Sequence, residues 1–402
     1  MSFPTGSSDV SLPDRRSVLR GAAAVFLSGA AARAATREPH PADVMTQPVR
    51  DFGPHAPPAF VPDPDILSLD PSFGDLVFKN GNIERVWSGG GWLEGPAWIS
   101  EGRFLLLSDT VRSAQYRFLP EENLMTTYRK ESFNSNGNTV DLQGRILTCE
   151  HGLRRVIRWE QDGTCTVLAD KFEGQGLNSP NDIIVNPADG SILFSDPAYG
   201  DCLAEGHPDA PGGRANREGK LRWNIGTEAT TQFGSAKRQA DHTFRIDPQN
   251  GQLESVLTEE QVPGPNGLCL SPDFKTLYVI STAPDPGLTG PGGDRKIRAF
   301  DMVNGRPQNG RVFCDMTLDG QHLVPDGMKA DVFGNLWCGA SGPYGLCGVF
   351  CYSPAGKLLG RIRLSHGVSN LTFGGLKRNE LYMCAAGSLY RLMLNTQGAG
   401  LC

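Results

Sequence analysis

The feature that most constrains the fold is a short apolar strand that recurs about every 45 residues along the chain. Each copy follows a turn, such as Gln143-Gly144 or Asp189-Gly190, and a second apolar strand follows each copy. The strand cores lie at 104–107, 146–147, 192–194, 277–280, 336–337 and 381–383. A repeat of this length without helical periodicity is typical of a β-propeller, with one four-stranded blade per repeat. The sequence therefore predicts an all-β fold, a six-bladed β-propeller.

The ring of blades has to close between the last repeat and the first. The final repeat continues only as far as its third strand, near Leu394. We therefore expect the N-terminal segment 83–87 to supply the fourth strand of the last blade, which removes exposed sheet edges. One repeat also carries a polar, glycine-rich insertion at 199–240, for which we expect a loop or lid over one face of the propeller.

Composition narrows the functional classes. The chain has 402 residues, of which 39% are hydrophobic and 20% are charged, so a membrane transporter and a disordered chain are both excluded. The formal net charge of −6 argues against a nucleic-acid partner, because such binding depends on neutralising phosphate. The 49 glycines and 29 prolines suit a chain with many tight turns.

The N-terminal segment reads as a targeting signal. A twin arginine at 15–16 precedes a short alanine-rich stretch that ends in the small-residue pattern before Ala34. This predicts a twin-arginine export signal over 1–34 and a periplasmic or secreted mature protein. A membrane anchor is the alternative, but the apolar stretch is well short of the roughly 20 residues that span a bilayer. We expect a proline-rich extended leader over 35–75 and the propeller over 76–402.

The ten cysteines include no CxxC pair and no spacing typical of a metal site. Cys149, Cys269, Cys338 and Cys384 lie inside apolar runs. Free cysteine in such surroundings behaves as a small hydrophobic residue, so we expect buried thiols.

A polar residue lies 10 or 11 positions before each strand core. The six are Glu94, Asn136, Asn181, Asn266, Asp326 and Asn370. Equivalent positions of propeller blades lie at one level around the central channel, so these side chains are expected to converge. Their carboxylate and amide oxygens suit one divalent cation, Ca²⁺ in the first instance, with Zn²⁺, Mn²⁺ and Mg²⁺ as alternatives.

An ordinary turn explains any single Asn-Gly or Asp-Gly pair in this set. Glutamate is a poor turn former, and all the positions share one register. We therefore predict that Glu94, Asn181, Asn266 and Asp326 together bind the metal.

The segments 94–98 (EGPAW), 179–182 (SPND), 265–268 (PNGL) and 325–328 (PDGM) resemble motifs of the senescence marker protein/gluconolactonase/luciferin-regenerating family. The resemblance extends over about residues 83–395, and the stretch from Gly137 to His151 is similar to the bacterial gluconolactonase branch.

The resemblance implies a six-bladed propeller that holds a divalent cation at the mouth of the channel. It also implies that Glu94, Asn181, Asn266 and Asp326 are the metal ligands and that Asp326 is the general base or nucleophile. Animal members have an arginine where this chain has Ser179, so substrate contacts of that arginine do not transfer.

These residues predict hydrolysis of a sugar lactone, such as an aldono-1,5-lactone. The cation is expected to polarise the lactone carbonyl and Asp326 to activate a water. Asn136, Asn138 and His151 are predicted to bind substrate hydroxyls or to move a proton, although a lone histidine at a strand end is also commonly structural. Asn370 is predicted to line the channel wall on the substrate side.

Three other functions remain open at this stage. A phosphotriesterase-like hydrolase uses the same kind of metal platform, and many propellers bind a ligand or protein without catalysis. A strictosidine-synthase-like condensation shares the fold but normally lacks this ligand set. The chain contains neither a GxSxG serine elbow nor a phosphate-binding Gly-Lys loop.

Overall fold

The computed structural model describes residues 61–198, 239–282, 293–343 and 345–401. Apart from one short 3-10 helix (Pro71–Asp75), the regular elements of these residues are β-strands. They form six antiparallel sheets in which four strands are hydrogen-bonded side by side, with a fifth strand on one sheet. The predicted all-β, six-bladed propeller is therefore confirmed.

The strands are numbered in chain order. Two precede the first blade, β1 (Ile66–Ser68) and β2 (Glu84–Ser88). Blade 1 contains β3 (Leu93–Ile99), β4 (Phe104–Asp109), β5 (Ala114–Leu119) and β6 (Leu124–Lys130). Blade 2 contains β7 (Ser135–Val140), β8 (Ile146–Glu150), β9 (Arg155–Trp159) and β10 (Cys165–Ala169). A small hairpin, β11 (Lys171–Phe172) and β12 (Gln175–Gly176), leads to blade 3, which contains β13 (Ile183–Val185), β14 (Ile192–Asp196), β15 (His242–Ile246) and β16 (Leu253–Thr258).

The second half of the ring repeats this plan. Blade 4 contains β17 (Pro265–Leu270), β18 (Thr276–Ser281), β19 (Lys296–Val303) and β20 (Arg306–Asp315). The hairpin β21 (Thr317–Leu318) and β22 (Gln321–His322) precedes blade 5, which contains β23 (Val324–Ala330), β24 (Leu336–Ser341), β25 (Gly348–Tyr352) and β26 (Leu358–Arg363). Blade 6 contains β27 (Val368–Gly374), β28 (Glu380–Ala385), β29 (Ser388–Met393) and the early strand β2.

The apolar strand cores that defined the repeat all lie in the second strand of a blade. In blade 1, Leu105, Leu106 and Leu107 are each fully buried. Successive side chains of a strand point to opposite faces, so burial of all three means that both faces of β4 are covered. Because each blade packs between two others, its second strand reads as a continuous apolar run in the sequence.

The ring closes as the sequence predicts. Strand β2 pairs with β29, and Glu84 lies opposite Arg391. The two side chains also form an ion pair of 2.7 Å. An N-terminal strand therefore completes the last blade, and the free edge of β29 is covered.

The predicted leader over 35–75 needs a correction in its last part. Strand β1 pairs with β26 as a fifth strand of the blade 5 sheet. The neighbouring Asp65 forms a 2.6 Å ion pair with Arg363, in which both side chains are almost completely buried. Phe73 in the 3-10 helix is fully buried in the apolar cluster of blades 5 and 6. Burial of apolar side chains and a buried ion pair therefore hold residues 65–75 against the propeller. The proline content of the predicted leader had suggested an extended, solvated segment.

The C-terminal segment crosses one end of the channel, where the inner strands of the blades end. The amide of Ala399 donates to the carbonyl of Ala330 at 2.9 Å, and the amide of Val332 donates to the carbonyl of Gln397 at 2.9 Å. Leu401 packs against the apolar clusters of blades 1 to 3. This end of the channel is thus covered by the chain itself.

Two predictions concern residues outside this description. The export signal at 1–34 lies wholly outside the described residues, as does nearly all of the insertion at 199–240. In the part of the chain that the structure describes, no helix has the length and apolar character needed to cross a membrane.

The predicted buried thiols are confirmed within the described ranges. Cys149, Cys269, Cys338 and Cys384 are at most 4% exposed. Cys165, Cys314 and Cys351 are likewise free of disulfide bonds.

Candidate functional site

The innermost strand of a blade carries the candidate residue at its start. In β3 the pairing register shifts between Glu94 and Ala97, and β7, β17, β23 and β27 shift register at the corresponding place. In blade 3 the inner strand begins at Ile183, just after Asn181. A bulge re-aims the side chains beside it, and bulges are common next to binding sites. The local irregularity therefore recurs where the sequence placed its polar residues.

Contacts between neighbouring blades bring these positions together. The amide of Gly137 donates to the carbonyl of Asn181 at 2.9 Å, which joins blades 2 and 3. Gly95 lies so close to Asn136 that a Cβ atom would overlap its carbonyl oxygen, and a Cβ atom at Gly327 would overlap the side chain of Asn370.

Hydroxyl groups tie two further blade junctions. Thr282 donates from its hydroxyl to the carbonyl of Pro325 at 2.6 Å, between blades 4 and 5. Ser369 donates to the carbonyl of Leu93 at 2.7 Å, between blades 6 and 1. The six predicted positions thus lie around one end of the channel, opposite the end that the C-terminal segment covers. We call Glu94, Asn136, Asn181, Asn266, Asp326 and Asn370 the polar ring.

The side chain of Asn370 links Glu94 of the polar ring to Asp182, which lies next to Asn181 in the sequence. The side-chain amide nitrogen of Asn370 donates to Glu94 Oε2 at 3.3 Å and to Asp182 Oδ1 at 2.9 Å. Asp182 further accepts from the backbone amide of Leu268, and Glu94 accepts from the indole of Trp92. Residues of blades 1, 3, 4 and 6 therefore form one hydrogen-bonded group.

This group concentrates buried negative charge. Glu94 and Asp182 are each only 4% exposed. Burial and the neighbouring charge of Asp182 raise the pKa of Glu94, because its ionised form is poorly solvated and repelled. Burial also raises the pKa of Asp182, although the nearby ammonium of Lys329 and the hydrogen bond from Asn370 oppose that rise.

The residues of the polar ring fit a hard divalent cation. A cation near Glu94 and Asp182 would offset their mutual repulsion, and every donor in the ring is a carboxylate or amide oxygen. Within the described ranges, Asp182 Oδ2 and Asn136 Oδ1 are buried without a hydrogen-bond partner. The same ranges contain no group of three or more His, Cys, Asp or Glu side chains placed to hold a metal ion. Amide oxygens would therefore have to complete the ligand set.

Asp326 differs from the rest of the polar ring in its access to solvent. It is only half-buried, whereas the other five members are at most 5% exposed. Of the three carboxylates at this end of the channel, it is the one that solvent water can reach most readily.

Asn138 has a different environment from the one expected. Its side-chain oxygen accepts from Gln115 at 2.7 Å and from Thr148 at 2.9 Å, and its nitrogen donates to the carbonyl of Gly95 at 2.8 Å. These bonds use its side chain to link blades 1 and 2. Asn138 thus has a structural role between these blades, and its predicted contact with substrate stays a prediction.

His151 and Glu150 end strand β8 or follow it directly. His151 is fully buried, and its carbonyl accepts from the amide of Arg154 at 3.1 Å. The buried carboxylate of Glu150 pairs with Arg129 at 2.8 Å and with Arg155 at 2.7 Å. Glu150 therefore faces an arginine pair within blades 1 and 2 rather than the polar ring.

Comparison of the sequence with models of known protein families identifies the family of this chain. Residues 92–387 match the model of the SMP-30/gluconolactonase/LRE-like region, which is well over half of the chain. The chain belongs to this family. The motif resemblance on which the sequence prediction rested is thereby confirmed.

Two relatives within the SMP-30/gluconolactonase family cover nearly the whole propeller. A gluconolactonase of Zymomonas mobilis subsp. mobilis is 27% identical over 358 residues, and the match covers 83% of this chain and 87% of the relative. The solved structure of XC5397, a gluconolactonase from Xanthomonas campestris, is 28% identical with a TM-score of 0.66 and covers 86% of this chain and 99% of that one. Regucalcin from Agrobacterium tumefaciens, described as a calcium-binding protein, is 14% identical with a TM-score of 0.57 and covers 79% of this chain and 96% of that one, which shows the shared fold alone.

Two buried charged residues beside the polar ring were given no role by the sequence reasoning. Asp182 follows Asn181 directly in the SPND motif, and Lys329 lies on the inner strand β23, where it is 8% exposed. The available signal was a charged residue within or beside an apolar inner strand. Such residues are rarely buried without a partner or a function.

Proposed function

We propose that the protein is a divalent-metal-dependent hydrolase that opens a sugar lactone of the gluconolactone type. Its membership in the SMP-30/gluconolactonase family and its gluconolactonase relatives support the reaction class. The observation that carries the site assignment is the meeting of Glu94, Asp182 and Asn370 at the same end of the channel as the half-buried Asp326.

Glu94, Asn181, Asn266 and Asp326 would hold the cation, for which Ca²⁺ is our first candidate. The bound cation would supply positive charge that favours attack at the lactone carbonyl. Zn²⁺, Mn²⁺ and Mg²⁺ are the ions to compare with it, since the donor set consists of oxygens alone.

In this proposal Asp326 accepts a proton from the water that attacks the carbonyl carbon. A bond forms between the water oxygen and that carbon, and the bond between the carbon and the ring oxygen breaks. The ring oxygen leaves as a hydroxyl group and takes up one proton, so that the product is the open hydroxy acid. Asn136, whose buried Oδ1 lacks a partner within the described ranges, would accept a hydrogen bond from a sugar hydroxyl.

The experiment that tests this function compares Asp326 with an exposed aspartate outside the polar ring. Asp326→Asn should reduce the turnover of glucono-1,5-lactone by about 100-fold or more, the usual contribution of a general base. The control Asp315→Asn changes an exposed aspartate at the end of β20 and should leave turnover unchanged. Near-wild-type turnover by Asp326→Asn would remove Asp326 from the reaction.

The substrate class is tested with the wild-type protein. We expect hydrolysis of glucono-1,5-lactone and other aldonolactones to exceed that of phosphotriesters by a wide margin. Preferential hydrolysis of a phosphotriester would instead favour the phosphotriesterase-like alternative, and no turnover of either class would favour a binding module.

We also propose that the protein is exported through the twin-arginine route and acts in the periplasm or outside the cell. The arginine pair Arg15 and Arg16 and the small-residue pattern before Ala34 support this. Replacing both arginines with lysine should retain the protein in the cytoplasm of a bacterial host. Undiminished export of that variant would contradict the proposal.

A further inference from the structure

Asp182 occupies an unusual place in the ring of blades. It comes from blade 3, yet it accepts hydrogen bonds from Leu268 in blade 4 and from Asn370 in blade 6. Blades 3 and 6 face each other across a six-bladed ring. Its carboxylate therefore extends across the channel, where it is almost completely buried.

The side-chain amide of Asn370 has no N–H group left to donate to a substrate. Its side-chain oxygen accepts from the amide of Leu371 at 2.9 Å, and the two hydrogens of its nitrogen are directed to Glu94 and Asp182. The two donors of Asn370 thus bridge two carboxylates.

The bridge limits the movement of Glu94. Its Oε2 atom accepts from Asn370 at 3.3 Å and from the backbone amide of Gly95 at 3.1 Å. Two donors on a single oxygen fix the rotation of the carboxylate, and one of them, the amide nitrogen of Asn370, also donates to Asp182. An outer hydrogen-bond partner that orients a ligand in this way commonly changes metal affinity by about 10- to 100-fold.

We propose that Asp182 is a positioning residue that, through Asn370, holds the Glu94 carboxylate in the orientation that a divalent cation at the polar ring requires. This inference rests on the proposed function, because it takes Glu94 to be a metal ligand. The inference gives Asp182 and Asn370 the role of orienting Glu94, which differs from a contact with substrate.

The test is calcium binding by the full-length protein after treatment with a chelator. Calorimetric titration with CaCl₂ should give a dissociation constant at least about tenfold weaker for Asn370→Ala and Asp182→Ala than for the wild type. Asp182→Asn keeps the oxygen that Asn370 donates to, so it should retain more affinity than Asp182→Ala. The two alanine substitutions should also be non-additive when combined, because they interrupt one chain of contacts.

Ser369→Ala is the matched control. Ser369 precedes Asn370 and bonds to the carbonyls of Leu93 and Cys384, so its loss weakens the same blade junction without touching either carboxylate. We expect its calcium affinity to remain within about twofold of the wild type, a smaller change than the roughly tenfold loss expected for a lost outer-shell partner. If Asn370→Ala fails to fold, Asn370→Ser serves under the same criterion.

Three outcomes are decisive against the inference. Wild-type affinity in Asn370→Ala, or equal losses of affinity and melting temperature in Asn370→Ala and Ser369→Ala, would overturn the positioning role alone. A wild-type protein that binds none of the divalent cations would overturn the metal-dependent function, and the inference with it.

Discussion

The carboxylates of Glu94 and Asp182 accept hydrogen bonds from one and the same amide nitrogen, at 3.3 and 2.9 Å. The two acids belong to different blades, and both are almost completely buried. Two buried carboxylates so close together repel each other when ionised. The fold therefore holds these two carboxylates close together at the end of the channel where the polar ring lies.

A bound cation should therefore stabilise the protein. Saturating CaCl₂ is expected to raise the melting temperature of the chelator-treated wild type, since a ligand at 100 times its dissociation constant adds about 2.7 kcal/mol. Glu94→Gln removes one of the repelling charges, so without calcium it should melt at or above the wild-type temperature. It should lose the calcium-dependent increase. Scanning calorimetry with and without CaCl₂ measures both effects, and an undiminished increase in Glu94→Gln would contradict the ligand role.

The pH dependence of stability should include a contribution from Asp196. Burial, with help from the charge of Asp241, raises the pKa of Asp196 from 3.8 to about 8. Between these values the folded protein keeps a proton that the unfolded chain releases, so the free energy of unfolding falls as pH rises, by at most about 1.4 kcal/mol per pH unit. Asp196→Asn should remove this slope.

Urea unfolding from pH 4 to pH 8 measures the effect. The stability of Asp196→Asn relative to wild type should increase steadily towards pH 8, whereas Asp315→Asn, an exposed control, should follow the wild-type curve. Parallel curves for wild type and Asp196→Asn would show that Asp196 is ionised in the folded protein throughout this range.

The close approach of blades 1 and 2 should make Gly95 intolerant of a side chain. Its φ is +51°, and a Cβ atom there would overlap the carbonyl of Asn136. Gly163 also has a positive φ, +83°, but nothing lies within 4 Å of its Cβ position. Gly163→Ala should lower the free energy of unfolding by about 1–2 kcal/mol through backbone strain. Gly95→Ala should lower it clearly more. Equal losses in urea unfolding would show that the blades can separate without penalty.

The ion pairs of Glu150 should contribute to the stability of blades 1 and 2. Its buried carboxylate is shared by Arg129 and Arg155, so Glu150→Gln leaves two arginines without their charge partner. Breaking a buried pair commonly costs about 3–5 kcal/mol. The exposed pair of Lys357 and Asp70 provides the comparison, and Lys357→Met should unfold at nearly the same urea concentration as the wild type. A comparably small shift for Glu150→Gln would mean that this pair is solvated.

Much of the fold was predictable because its signals are local. The continuous apolar run at 104–107 follows from burial on both faces of β4, and the same pattern recurs in every blade. Segments fixed by distant contacts were not predictable in this way. Asp65 forms an ion pair with Arg363, which lies near the other end of the chain. The prolines around Asp65 do not predict this contact.

The candidate site shows the same division. The shared register of Glu94 and Asp326 could be read from the spacing, since equivalent positions of a repeat lie at one level. The roles of Asn138 and Asp182 could not be read from the spacing. Strand β7 shifts register between Ser135 and Asn138, and the role of Asp182 depends on its hydrogen bond across the ring. Bulges and contacts across the channel leave no periodic trace in the sequence.

The most direct test of the proposed metal-dependent lactonase activity is a single titration. Chelator-treated protein is supplied with increasing CaCl₂ while glucono-1,5-lactone hydrolysis and bound calcium are measured in the same samples. We predict that activity is lost on chelation and returns in proportion to bound calcium, reaching its maximum when the site at the polar ring is filled. Full activity in the chelated protein, with no response to any added divalent cation, would contradict the account.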